Sequence, residues 1–321
     1  MADYPGYLNA YKSGQLKKMA DSLFLSLELC QICPRRCKVN RLDGKLGFCK
    51  TASLPKIFSF MAHYGEEPPI SGTRGSGTIF FSHCNMGCVY CQNYEFSQMG
   101  KGKDYSFQEL AQVMLDLQAQ GCHNINLVTP THVLPQILKG LELAIPEGLK
   151  IPLVYNTSGY ELAEVIKSLS GIVDIYLADS RYGDNLISKQ LSKAPDYAKY
   201  NQEALIEMHR QVGIAEFTAD GLIRKGLIIR HLVLPNRLSH TDRIMQFIAE
   251  ELSDDTYISL MSQYLPYHLA SSYPKINRRL KKEEYQEAKE ILERYHLLNG
   301  WIQESYGQER FAGVNIKPKP R

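Results

Sequence analysis

From Gly77 onward, short apolar strand-like runs alternate with amphipathic helical stretches, and this alternation limits the fold more than any other feature. The pattern predicts strands over residues 78–82, 124–128, 153–155, 173–178, 227–234 and 257–261. It predicts helices over 107–119, 133–143, 162–169, 185–192, 201–212, 242–252 and 282–295, with Ser239 as N-cap for the stretch 242–252. Residues 216–223, with the turn pair Asp220-Gly221, read as one arm of a small hairpin insertion. A chain that alternates in this way builds a parallel sheet. The expected class is α/β, a partial (β/α)6 TIM-like barrel in preference to a Rossmann sheet, because no G-x-G-x-x-G follows any strand. In either architecture, chemistry belongs at the carboxyl ends of the strands.

The remaining sequence sets the boundaries of that barrel. With 321 residues, 44% hydrophobic, the chain has material for one large α/β domain and a smaller appendage. Residues 1–73 are dense in turn signals and read as an N-terminal helix and a Cys-rich module; 74–275 form the barrel and 276–321 a C-terminal helical extension. A formal net charge of +3 demands no polyanionic partner. No apolar run is long enough to span a bilayer, so no membrane partner is expected. Near the N-terminus, Leu16, Met19, Ala20, Leu23, Phe24 and Leu27 recur at helical spacing among Lys17, Lys18 and Asp21. That is an amphipathic helix kept in the mature protein rather than a signal peptide, and a cytoplasmic location is expected.

Clustered cysteines in a reducing compartment are metal ligands or redox groups more often than disulfides. Of the 8 cysteines, only Cys122 stands alone, as a buried small side chain. Cys84, Cys88 and Cys91 follow the first barrel strand with the spacing C-x3-C-x2-C. Three thiolates on one short loop can ligate three irons of a [4Fe–4S] cluster and leave the fourth open. Gly87 lets the loop wrap closely, since it tolerates positive φ. The competing reading is a zinc knuckle with His83 or Cys122 as fourth ligand. Cys30, Cys33, Cys37 and Cys49 offer four ligands in one compact segment, enough to close a second site around structural zinc or an auxiliary iron–sulfur cluster. Unmetallated thiols or a disulfide are the alternatives there.

The run C-x3-C-x-aromatic-C, with Tyr90 at the aromatic position, resembles the radical S-adenosylmethionine (SAM) superfamily. The wider segment 75–93, GSGTIFFSHCNMGCVYCQN, looks like its pyruvate formate-lyase activating enzyme-related branch. Cys33-Pro34-Arg35-Arg36-Cys37 with Gly47-Phe48-Cys49 is similar to the entry segment of that branch, and the likeness runs from Cys30 to about Pro274. The resemblance implies a [4Fe–4S] cluster on Cys84, Cys88 and Cys91 and reductive cleavage of SAM to a 5′-deoxyadenosyl radical that abstracts hydrogen. It also implies an external electron donor such as flavodoxin or ferredoxin. The substrate is a protein, in which a glycyl radical is created, or alternatively a small molecule.

Family positions carry over to the strand ends. Tyr90 is placed near the adenine. Thr129-Pro130-Thr131-His132 stands where the activating enzymes have Gly-Gly-Glu-Pro, so Thr129 and Thr131 become candidates for the SAM amino group. His132 is either a ligand or the start of the next helix. Asn156 and Ser158 suit the carboxylate or ribose, and Arg181 the carboxylate, with Asp179 orienting it or fixing the ribose. Arg230, on the fifth strand beside His231, is either in the SAM site or paired to an acid such as Asp179. His268, in Leu265-Pro266-Tyr267-His268, takes the role of the family histidine that reaches SAM. A third reading, a zinc-ribbon nucleic-acid-binding protein, draws on Arg35, Arg36, Lys38, Arg41 and Lys45, but leaves the strand–helix array unexplained.

Overall fold

A computed structural model describes residues 4–303. In chain order the strands are β1 (Lys56–His63), β2 (Ser76–Phe81), β3 (Lys103–Asp104), β4 (Ile125–Val128), β5 (Leu153–Thr157), β6 (Ile175–Asp179), β7 (Glu216–Phe217), β8 (Ile223–Leu232), β9 (Tyr257–Met261) and β10 (Gly300–Ile302). They form one sheet in the order β10-β9-β8-β6-β5-β4-β2-β1-β3, with β7 paired to β8. From β2 to β10 along that order every pairing is parallel. The fold is the expected α/β type, a mostly parallel sheet consistent with a partial TIM barrel. No helix among the described residues is long and apolar enough to cross a membrane.

The two faces of the sheet separate by the two-residue period of a strand. Ile79 and Phe81, Ile125 and Leu127, Leu153 and Tyr155, Tyr176 and Ala178, and Leu227 and Ile229 join the main core, which they share with the helices. Their alternates Val154, Ile175, Leu177 and Ile228 form a separate interior cluster. The same parity continues to the carboxyl ends, where it turns Phe80, Val128, Asn156, Asp179 and Arg230 to the interior. Helix formation on the outside is well specified locally. At Phe107–Ala119, Ser106 and Glu109 make a reciprocal capping box, a device that contributes about 1 kcal/mol.

Several expectations are corrected. The segment read as dense in turn signals also contains β1, which lies antiparallel on β2 and joins the sheet. The amphipathic N-terminal helix is present as Gln15–Leu25, and an additional helix, Tyr7–Lys12, precedes it across Gly14 with φ +74. Ser239 does not cap the next helix: its hydroxyl accepts from the Leu234 N–H at 3.3 Å, and His240 occupies the N-cap. The helix expected over 282–295 is Lys282–Arg294, and β10 follows it back into the sheet. The rest of the extension, 304–321, lies outside the described residues.

Candidate active site

The loop after β2 carries Cys84, Cys88 and Cys91, and its backbone is clipped in place from two directions. The Gly87 and Val89 N–H groups donate to the Ser192 and Leu191 carbonyls, both at 2.8 Å. The Val89 carbonyl accepts from Leu269 N–H at 2.8 Å. Gly87 is absent from the positive-φ glycines. It is needed for close approach instead, since a Cβ there would stand 3.1 Å from Lys193 and 3.4 Å from the Phe48 ring.

Each sulfur has a polar neighbour. Ser192 Oγ lies 3.0 Å from Cys88 Sγ, and an Arg181 amino group 3.7 Å from it. Met86 N–H donates to Cys84 Sγ at 3.3 Å, and Ser97 Oγ sits 3.2 Å from Cys91 Sγ. Burial and the neighbouring Cys88 push the Cys84 thiol up to about 12; the same two causes raise Cys91. Coordination to a cation reverses that logic, because a ligating thiol is deprotonated outright. Among the described residues no three His, Cys, Asp or Glu side chains gather closely enough to hold a single metal ion. Thiols around a four-iron core stand farther apart than ligands sharing one ion.

Beside the loop opens a cavity lined by Tyr90, Cys91 and the interior-facing strand ends. Register explains the convergence: Phe80 pairs with Val128, Val128 with Asn156, and Asp179 with Arg230. Asp179 is the electrostatic hub. Arg181 places two donors on its Oδ2, at 2.9 and 2.5 Å, and Arg230 Nε reaches Oδ1 at 2.8 Å. Burial opposes this carboxylate, but Arg230 and Arg181 hold its carboxyl below the usual value. Arg230 also donates to Asn156 Oδ1 at 2.6 Å and to Glu66 at 3.2 Å. The Ser158 hydroxyl and the Asn93 side-chain carbonyl are buried with no hydrogen-bond partner, so the cavity wall has polar capacity to spare for a bound molecule.

The comparisons agree with this arrangement. The model of the radical SAM superfamily matches residues 78–200, from β2 through the cysteine loop and on past Asp179 and Arg181. The chain belongs to the radical SAM superfamily. It is 35% identical over 278 residues to an uncharacterized protein of Methanocaldococcus jannaschii, an alignment covering 84% of this chain and 75% of that one. Two solved structures show an 11% identical likeness. HydG, a maturase of the [FeFe]-hydrogenase, aligns over 68% of this chain with a TM-score of 0.44, and this chain spans 48% of its length. Methylornithine synthase (PylB) aligns over 75% of this chain and 73% of its own, with a TM-score of 0.46. Membership implies a [4Fe–4S] cluster, SAM and an electron donor, and hence an enzyme of SAM-cleaving radical chemistry.

Of the residues expected in the radical SAM site, Tyr90, Thr129, Asn156, Ser158, Asp179, Arg181 and Arg230 line the cavity. Thr131 does not. It is buried with its hydroxyl on Glu161, at 2.5 Å, beside Thr157. Burial pushes the Glu161 carboxyl up to about 7 against the hydroxyls that bond it. His132 is also interior, in a 3-10 turn, with Nε2 donating to the Ser82 carbonyl at 2.8 Å. His268 stands outside the lining, stacked on Tyr94 with ring centroids 4.7 Å apart. Cys122 packs in the helix–sheet core. The reading missed Glu66, which reaches the cavity from the connection after β1. Its signal was the pattern Gly65-Glu66-Glu67-Pro68, a displaced likeness of the Gly-Gly-Glu-Pro segment sought after β4.

Proposed function

We propose that Cys84, Cys88 and Cys91 hold the [4Fe–4S] cluster, that SAM lies in the adjoining cavity, and that the enzyme abstracts hydrogen from a protein, leaving a glycyl radical. When bound, the cluster and SAM supply a 5′-deoxyadenosyl radical by one-electron reductive cleavage. The observation that carries the reading is the placement of Cys91, from the three-cysteine loop, at the rim of a cavity whose wall holds the Asp179–Arg181–Arg230–Glu66 network, with Arg181 also reaching Cys88 Sγ at 3.7 Å. Arg181 and Asn156 suit the SAM carboxylate, and the unpartnered Ser158 hydroxyl suits the carboxylate or ribose. Tyr90 is held edge-on to Tyr264, with ring centroids 5.5 Å apart, and its hydroxyl meets Tyr182 at 2.5 Å; its ring is thus fixed for contact with adenine.

Glu66 suits the SAM amino group. Its carboxylate is 9% exposed, faces the cavity, and has one cationic partner, Arg230, on Oε2 at 3.2 Å. Oε1 has a long contact to Asn156, 3.4 Å, and a carboxylate with about four acceptor sites retains capacity for an ammonium. Glu66→Gln keeps the size and removes the charge. The expected result is SAM binding weaker by roughly 10- to 100-fold, as for loss of a charge-assisted hydrogen bond, with iron content unchanged. Equilibrium binding to the anaerobically reconstituted protein checks it; an affinity within twofold of wild type removes Glu66 from the role.

The function is tested by incubating the reduced, reconstituted protein with SAM and candidate glycyl-radical proteins. Formation of 5′-deoxyadenosine together with a persistent protein radical in the electron paramagnetic resonance spectrum is expected. Cleavage without a protein radical shifts the reading to a small-molecule substrate. No 5′-deoxyadenosine under any condition ends it.

A further inference from the structure

The four N-terminal cysteines lie outside the SAM cavity and line a pocket of their own with Arg35, Arg36 and Arg41. Their placement is local and firm. Cys30 exchanges backbone hydrogen bonds with the returning chain, its N–H donating to the Val39 carbonyl and its carbonyl accepting from the Lys38 N–H. Cys33 opens a turn closed by the Arg36 N–H, and Phe48 N–H donates to Cys37 Sγ at 3.4 Å. At Gly47 a Cβ would come within 2.8 Å of that sulfur, so the chain is pressed against it.

Charge is what points to a ligand. Among the described residues lining this pocket none is Asp or Glu. Arg36 finds Glu164 at the surface, but Arg41 is only 1% exposed and among the described residues has no carboxylate partner. One of its amino groups points to Cys30 Sγ at 3.7 Å, the other donates to the Ala52 and His132 carbonyls, and its Nε is buried without any partner. Arg35 is similar: its Nε donates to the Asn85 carbonyl, its ring neighbours are Phe48 and Tyr160, and one amino nitrogen is orphaned. A guanidinium stays charged in proteins, and a buried charge requires a counter-charge. Four neutral thiols supply none. Four thiolates around a dipositive core supply a net double negative charge at the place where Arg41 and Arg35 lack one.

From these observations we infer a second iron–sulfur cluster, ligated by Cys30, Cys33, Cys37 and Cys49 and charge-compensated by the buried Arg41. Zinc would satisfy the same charge, and the metal content of the protein separates the two. Four protein ligands leave no open iron, so this centre transfers electrons and does not bind SAM. It accepts one electron from an external low-potential donor and passes the same electron on, with no bond made or broken. Two hydrogen-bonded connections lead from its pocket to the catalytic loop. Arg35 reaches Asn85, next to Cys84, and Arg41 reaches the His132 carbonyl, whose ring bonds Ser82. Only the direction of that electron transfer rests on the function proposed above; the second centre stands on its own residues.

The test is a full-length variant with Cys84, Cys88 and Cys91 all changed to Ala, reconstituted anaerobically with iron and sulfide in the presence of zinc. It is expected to keep about four irons per chain, with a reducible signal that SAM leaves unchanged. Wild type is expected to hold about eight, with two signals, one of them altered by SAM. Arg41→Met is expected to lose the SAM-insensitive signal and keep the other. Stoichiometric zinc in place of iron, or a triple variant that folds without iron, overturns the inference. Should the triple variant not fold, a wild type holding about four irons, all SAM-sensitive, overturns it equally. A wild type in which SAM alters no signal contradicts instead the reading of Cys84, Cys88 and Cys91.

Discussion

A Cys88→Ala protein is expected to fold and to lose reductive SAM cleavage to background. Cys88 is the most buried of the loop cysteines, 6% exposed, and the one whose sulfur has both Ser192 and Arg181 as neighbours. Changes at groups that merely orient a metal ligand cost 10- to 100-fold, about 1.4 to 2.8 kcal/mol. Removing a ligand costs more, since two thiolates cannot hold three irons and the open iron is then no longer unique. The side chain lost is small and sits in a secondary cluster with Met86, Tyr90 and Tyr182, so the barrel core survives. Cys122→Ala is the matched control. That thiol packs with the helices, 3% exposed, and its loss is expected to lower stability while leaving cleavage intact. Quantifying 5′-deoxyadenosine and iron for both variants checks the pair. A Cys88→Ala protein that cleaves SAM at the wild-type rate defeats the assignment of the cluster to this loop.

What could be read in advance follows from how far each signal acts along the chain. Helix Phe107–Ala119 and strand Tyr257–Met261 fall where periodicity puts them, because their partners are short-range: a capping box in one case, a buried run in the other. The cysteine loop was legible for the same reason, its three cysteines lying within eight residues of one another. Strand β1 was not. Most of Lys56–His63 is only half-buried, so it lacks the apolar alternation of a core strand, and turn residues surround it. Polar residues at strand ends were readable as a set but not one by one. Asn156 and Thr157 are neighbours in sequence; strand parity sends one side chain to Arg230 in the cavity and the hydroxyl of the other to buried Glu161 on the helix side of the sheet. Thr131 shares the second fate. Glu66 escaped because its Gly-Glu-Glu-Pro run precedes the cysteine loop instead of following β4; the packing of the connection after β1 beside Arg230 is what gives it a role.

Arg230→Ala is expected to be the most destabilising single change in the cavity. The guanidinium bonds Asp179, Asn156 and Glu66 at once, and both acids are less than 10% exposed. A buried ion pair adds little over a well-packed apolar pair, but removing one partner strands the other charge, which costs about 3–5 kcal/mol. Here Glu66 is left without the guanidinium, and Asp179 keeps Arg181 alone. Glu66 is already raised by burial, with Arg230 the main force opposing that rise, so the variant is expected to take up a proton on folding. Its carboxyl then has a higher value folded than unfolded. Stability is therefore lost as pH rises above the unfolded carboxyl value, and the deficit grows from mildly acid to neutral pH. Arg230→Lys keeps a charge but not the three-way fork, and recovers only part of the loss. Urea midpoints of the three proteins at pH 5 and pH 8 measure this. A deficit below about 1 kcal/mol for Arg230→Ala, or one that shrinks toward alkaline pH, contradicts the account, because it means that Arg181 alone satisfies Asp179 and that Glu66 finds its counter-charge elsewhere.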